Sequence, residues 1–162
     1  MSVCKRLFCL ILICLVMTVF FSTSVALGAG PTLVVTPDKT VLSPALIKKP
    51  IMITGSGWKP GEIVLVNMIL PQGVTVKGVN PGDPVGIANG KADATGMFKT
   101  KIGAMTILMT FFQVDWDNEK MKPDFKKTRP LPPQTYTLEA LGIDSEKKAG
   151  ATLTLLPPPK KK

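Results

Sequence analysis

Several short stretches of the chain place apolar residues at every second position, the spacing of a strand with one covered face. Leu33 to Thr36 is the first, and Pro37 stops it. Pro37 to Pro50 reads as a connector with an apolar centre at Ala45, Leu46 and Ile47. Ile51 and Ile53 then share one side, with Met52 and Thr54 on the other. Gly55, Gly57, Pro60 and Gly61 supply a turn, so Ile51 to Leu70 is expected to form the first hairpin-like pair. The strand from Glu62 to Leu70 breaks the simple alternation. Ile63, Leu65, Asn67 and Ile69 point one way, and Val64, Val66, Met68 and Leu70 the other. Two apolar sides predict a central strand covered twice, because water on the second side would forgo ~25 cal/mol per Å².

Pro71 to Gly90 is rich in glycine and proline, with a short strand expected at Val74 to Val76. Lys91 to Phe98 reads as strand, tight turn and strand, with Gly96 at the left-handed position of the turn. Thr135 to Ala140 alternates with Tyr136, Leu138 and Ala140 facing in, and Ala151 to Leu156 alternates again. Short strands separated by turn residues predict an all-β chain.

Four of these stretches carry a resemblance: Gly55 to Glu62 (GSGWKPGE), Ala92 to Phe98 (ADATGMF), Tyr136 to Ala140 (YTLEA) and the closing Thr/Leu-rich strand. In this order they resemble the bacterial immunoglobulin-like domains of exported and surface proteins. Gln134 departs from the glycine often found there. The resemblance covers most of Leu33 to Leu156. It implies an immunoglobulin-like β-sandwich of about seven strands over 31–156 and an exported setting, and it implies no activity. It also implies a tyrosine-corner role for Tyr136, its hydroxyl bonding nearby backbone.

A long insertion, about 103–133, precedes the Tyr136 strand. Met105, Ile107, Leu108, Met109, Phe111, Phe112, Val114 and Trp116 make its first half densely apolar. As a strand or one short helix, that half would cover the second side of Glu62–Leu70. As an exposed patch it would bind a partner subunit or a membrane surface, with Met109, Phe111, Phe112 and Trp116 in contact. Asp115, Asp117 and Glu119 alternate as oxygen ligands for Ca²⁺ would, against the simpler reading of an acidic turn paired with Lys120 or Lys122. Trp58 reads as a cap on the core, with a ligand-stacking role as the alternative.

The termini add an address. Lys5 and Arg6 precede the apolar run Leu7 to Phe21, and small residues follow from Ser22 to Gly30. This order is that of a secretory signal peptide over 1–28, with a retained anchor as the alternative. Fifteen residues of helix span about 22 Å, short of a hydrocarbon layer of roughly 30 Å. Cys4, Cys9 and Cys14 all lie in that segment, so the mature chain has no thiol for a disulfide or a metal. Pro157 to Lys162 reads as a disordered proline and lysine tail.

The chain contains 20 basic and 11 acidic residues and no histidine. Loss of Lys5 and Arg6 with the leader would leave 18 basic residues against the same 11, near +7. Such a surface favours anionic neighbours, with Lys126, Lys127, Arg129, Lys160, Lys161 and Lys162 as the clustered contacts. Nucleic acid is not expected, since charge alone supports it. Without histidine the commonest general base is missing, so the chain is expected to be no enzyme and to need no cofactor. The resulting expectation is a secreted, periplasmic or cell-surface module. It would act in protein–protein contact, self-assembly or adhesion to envelope glycan or lipid headgroups. A carbohydrate-binding accessory domain is the alternative, and a histidine-free hydrolase is the third reading.

Overall fold

A computed structural model describes residues 30–80 and 83–159; the leader (1–28) and the Lys160–Lys162 contacts expected from the sequence lie outside them. The described chain is mostly β. One sheet holds β1 (Thr32–Thr36), β3 (Met52–Ser56) and β6 (Phe98–Lys101), in the order β1-β3-β6. A second holds β2 (Lys39–Val41), β4 (Ile63–Ile69), β5 (Val85–Lys91), β9 (Thr135–Gly142) and β10 (Lys148–Leu156). Its order is β2-β10-β9-β4-β5, with β2 parallel to β10 and the other neighbours antiparallel. β7 (Asp115–Asp117) and β8 (Lys122–Asp124) form a separate hairpin.

Alternation builds the core. Leu33, Val35, Ile53 and Phe98 of the three-stranded sheet join Val64, Val66, Met68, Ile87, Tyr136, Leu138, Leu153 and Leu155 of the five-stranded sheet in one buried cluster. Tyr136, Leu138 and Ala140 face in as their spacing predicts.

Two expectations are corrected by the topology. β3 and β4 do not form a hairpin: the Gly57–Gly61 turn carries the chain from one sheet to the other. The tight turn after β5 does the same, since β5 and β6 also belong to different sheets. Glycine and proline mark a reversal of direction, but pairing depends on which sheet each strand joins. β4 is central as predicted, yet covered only once. Val64, Val66 and Met68 are buried, while on the other side Ile63 and Ile69 are exposed and Leu65 and Asn67 only half-buried. Val74 to Val76 forms no strand; it lies in successive turns closed by Val74 N–H to Pro71 O and Val79 N–H to Val76 O.

The turn end of the molecule is tightly tied. Glu62 is buried, and its carboxylate accepts from the Lys59 amide at 2.6 Å and the Ser145 amide and hydroxyl, each at 3.0 Å. These bonds join the β3–β4 turn to the β9–β10 turn. Burial alone would raise the Glu62 pKa, but the hydrogen bonds from Lys59 and Ser145 outweigh it and hold the carboxyl below its ordinary value. Trp58 packs edge-on against Phe98, with ring centroids 5.9 Å apart at 70°. Gly96, at φ +75°, lies against the Trp58 backbone, where a Cβ would collide with the Trp58 carbonyl oxygen. Asp93 closes that turn by accepting from Thr95 N–H, Thr95 O–H and Met97 N–H.

Candidate contact site

The opposite end is built by the loop after β4 and the insertion between β6 and β9. After Gly103 the chain forms a short helix, Ala104–Thr106, which widens into a π-helical turn over Ile107–Phe111. The Phe112 amide donates to Ile107 O at 3.0 Å, the i to i−5 bond of such a turn. Gln113, at φ +45°, reverses the chain into β7. The returning arm is stitched back by Arg129 N–H to Phe112 O and Leu131 N–H to Phe111 O. Thus the half-apolar insertion is a short helix followed by a hairpin.

This geometry divides the expected contact residues. Phe111 is fully buried beside Ile107 in the core cluster, so its place in an exposed patch is corrected. Phe112 is half-buried and packs against the same cluster. Met109 and Trp116 remain exposed. The helix does not cover the second side of β4; its buried residues extend the core at this end. The sequence reading missed Met121 and Phe125, which are 72% and 63% exposed on the β7–β8 hairpin. Their lysine neighbours Lys120, Lys122, Lys126 and Lys127 are exposed as well. Apolar residues inside a charged run carry no period, which is why they were passed over.

The acidic residues do not converge on a cation. Asp115 is ion-paired with Lys77, whose hydrogen bond and charge hold the carboxyl below its ordinary value. Asp117 accepts from the Glu119 and Lys120 amides at 3.1 and 3.0 Å and lies 3.4 Å from the Lys120 ammonium. Among the described residues no group of three His, Cys, Asp or Glu side chains could hold a metal ion. Asp115, Asp117 and Glu119 thus lie in an acidic turn engaged by lysine and by its own backbone, the simpler of the two readings of this stretch.

Loop and insertion enclose a groove with two lobes. A polar lobe of about 400 Å³ is lined by Thr75, Lys77, Gln113, Asp115, Arg129 and neighbouring prolines. A more apolar lobe of about 360 Å³ is lined by Val79, Val85, Met109, Val114 and Trp116, among others. Val76, Lys77 and Gln113 line both. Asp115 and Trp116 are successive residues of β7, so strand alternation sends one to each lobe. Gln113 spans to the loop: its amide nitrogen donates to Thr75 O at 3.2 Å, and its oxygen accepts from Lys77 N–H at 3.1 Å. Lys126, Lys127 and Arg129 are exposed on the returning arm. Trp58, at 3% exposure, is buried and offers no face to a ligand.

No family model matches the chain, and no curated protein matches it. Among solved structures it is similar to a β-D-glucoside glucohydrolase from Trichoderma reesei, at a TM-score of 0.42 and 10% identity. The match covers 78% of this chain and 18% of that one. The expectation that the chain is no enzyme does not stand beside this finding and is dropped. At that TM-score the likeness carries no argument for an activity here either.

Proposed function

We propose that the chain is an exported immunoglobulin-like module that attaches to the anionic surface of a cell envelope through its β7–β8 hairpin. The strand order supports the fold named here. Eight strands fall into a three-stranded and a five-stranded sheet, with the short β2 running parallel to β10 at the edge. The Tyr136 hydroxyl donates to Pro132 O at 2.8 Å, as a tyrosine corner would. The attachment reading rests on one observation: Trp116 and Met121 on the β7–β8 hairpin and Phe125 just after it stand in solvent, with Lys120, Lys122, Lys126 and Lys127 exposed in the same stretch. Exposed apolar side chains interspersed with lysine along the chain suit an interface where the side chains enter the headgroup layer and the ammoniums meet phosphates. The test is co-sedimentation of the mature protein with vesicles containing phosphatidylglycerol and with vesicles of phosphatidylcholine alone. Binding to the first that falls at least tenfold in Met121→Ser/Phe125→Ser supports the reading; equal binding by that variant overturns it.

A second reading, contact with a protein partner or another copy, is favoured by the outer side of the five-stranded sheet. Ile63 and Ile143 are 53% and 49% exposed there, and Ile143 N–H donates to Ile63 O at 3.0 Å. Ile69 adds a third exposed apolar residue along β4. Sedimentation velocity over a concentration series tests self-assembly. A mass increase abolished by Ile63→Lys supports it, and a monomer throughout overturns it.

A further inference from the structure

We infer that the two-lobed groove at the root of the β7–β8 hairpin binds an acidic polysaccharide, with a sugar carboxylate on Arg129 and a ring face on Trp116. The inference deepens the proposed surface contact and rests on that end of the molecule being its contact end. Three observations support it. First, the basic groups of the polar lobe are not equivalent. Asp115 is ion-paired with Lys77, whereas Arg129 is, among the described residues, in no ion pair and acts on Asp115 only through its charge from farther off. A free guanidinium at the wall of a groove suits a planar carboxylate, which it can bind through two parallel N–H bonds.

Second, the neighbouring lobe supplies an exposed indole and a methionine, surfaces suited to the C–H face of a sugar ring. The two lobes share Val76, Lys77 and Gln113 in their walls, which places Arg129 and Trp116 on neighbouring sides of the same residues. Third, Gln113 disfavours the main alternative. An acidic peptide would ordinarily add a strand by pairing with free backbone groups. Here Thr75 O and Lys77 N–H, two backbone groups of the lining loop, are already engaged by the Gln113 side chain. Recognition is left to side chains, and charge complementarity with a chain carrying 20 basic against 11 acidic residues favours a polyanion.

The experiment is affinity electrophoresis of the mature protein in gels containing polygalacturonate or, separately, its methyl-esterified form. Wild type should be retarded by the first only. Arg129→Gln and Trp116→Ala should each weaken retardation at least tenfold, while Lys99→Gln, the same charge change on β6, should leave it unaltered. Retardation lost equally in Lys99→Gln would mean diffuse charge and overturn the inference, as would no retardation of wild type. The vesicle assay separates the two proposals. Vesicle binding without retardation sinks the groove alone, and retardation that survives Met121→Ser/Phe125→Ser leaves the groove standing whatever the vesicles show.

Discussion

The chain has two tryptophans, one at each end of the sheets, and their surroundings are opposite. Trp58 is buried in a turn that crosses between sheets, pressed by Phe98 and by the close approach of Gly96. Trp116 is 40% exposed on a two-stranded hairpin that neither sheet extends over. The same side chain closes the core at one end and is left for contact at the other. What differs is the connection: crossing turns bring three loops together, whereas an out-and-back insertion carries its residues away from the sheets.

The largest expected break in this comparison is in stability. Trp58→Ala should cost about 3–5 kcal/mol in urea unfolding, and Trp116→Ala no more than about 1 kcal/mol. Similar losses at both sites would refute the contrast. Gly96→Ala should cost about 3 kcal/mol, since it combines a left-handed backbone with a collision against Trp58. An equivalent change at Gly103, where the backbone is extended and a Cβ meets only the Thr106 hydroxyl at 3.9 Å, should be nearly silent.

Glu62→Gln should cost about 2 kcal/mol at neutral pH, because three donors lose an ionised acceptor. The pH dependence has a definite sign. The folded pKa of Glu62 is lowered, so its contribution is complete above the unfolded value of about 4.3 and is lost as pH falls through the folded value. Asp93, held down by the Thr95 hydroxyl and the Met97 amide, acts in the same direction. Urea midpoints measured across that acid range should converge for wild type and Glu62→Gln; parallel curves would refute the clamp. The smallest effect should be that of Met121→Ser/Phe125→Ser on stability, within about 0.5 kcal/mol.

Strand positions were legible wherever one side is covered, as in Tyr136, Leu138 and Ala140. The order of strands in the sheets was not, because turn residues at Pro60–Gly61 and Asp93–Gly96 say that the chain reverses without saying which neighbour it meets. The double apolar face of β4 misled for a related reason: Ile63 and Ile69 satisfy the β preference of the backbone whether or not anything covers them. At the candidate site, Trp116 and Arg129 were visible as residue types. Gln113 and Lys77 were not, since the bond between them joins residues 36 positions apart. Phe111 was assigned to the surface because density of apolar residues does not separate the buried face of a single helical turn from its exposed one.

The outermost strand of the smaller sheet, β6, has the sequence FKTK, with Lys99 and Lys101 in solvent. A second molecule approaching to continue that sheet would have to set its own Lys99 and Lys101 close to these charges, and antiparallel or parallel docking would both stack ammonium near ammonium. Growth by edge addition, the route to fibres, is thereby discouraged at this border. At this border, where Thr100 Oγ1 also donates to Asn89 O of β5 at 2.7 Å, crowded molecules would meet through faces and loops and not through shared backbone.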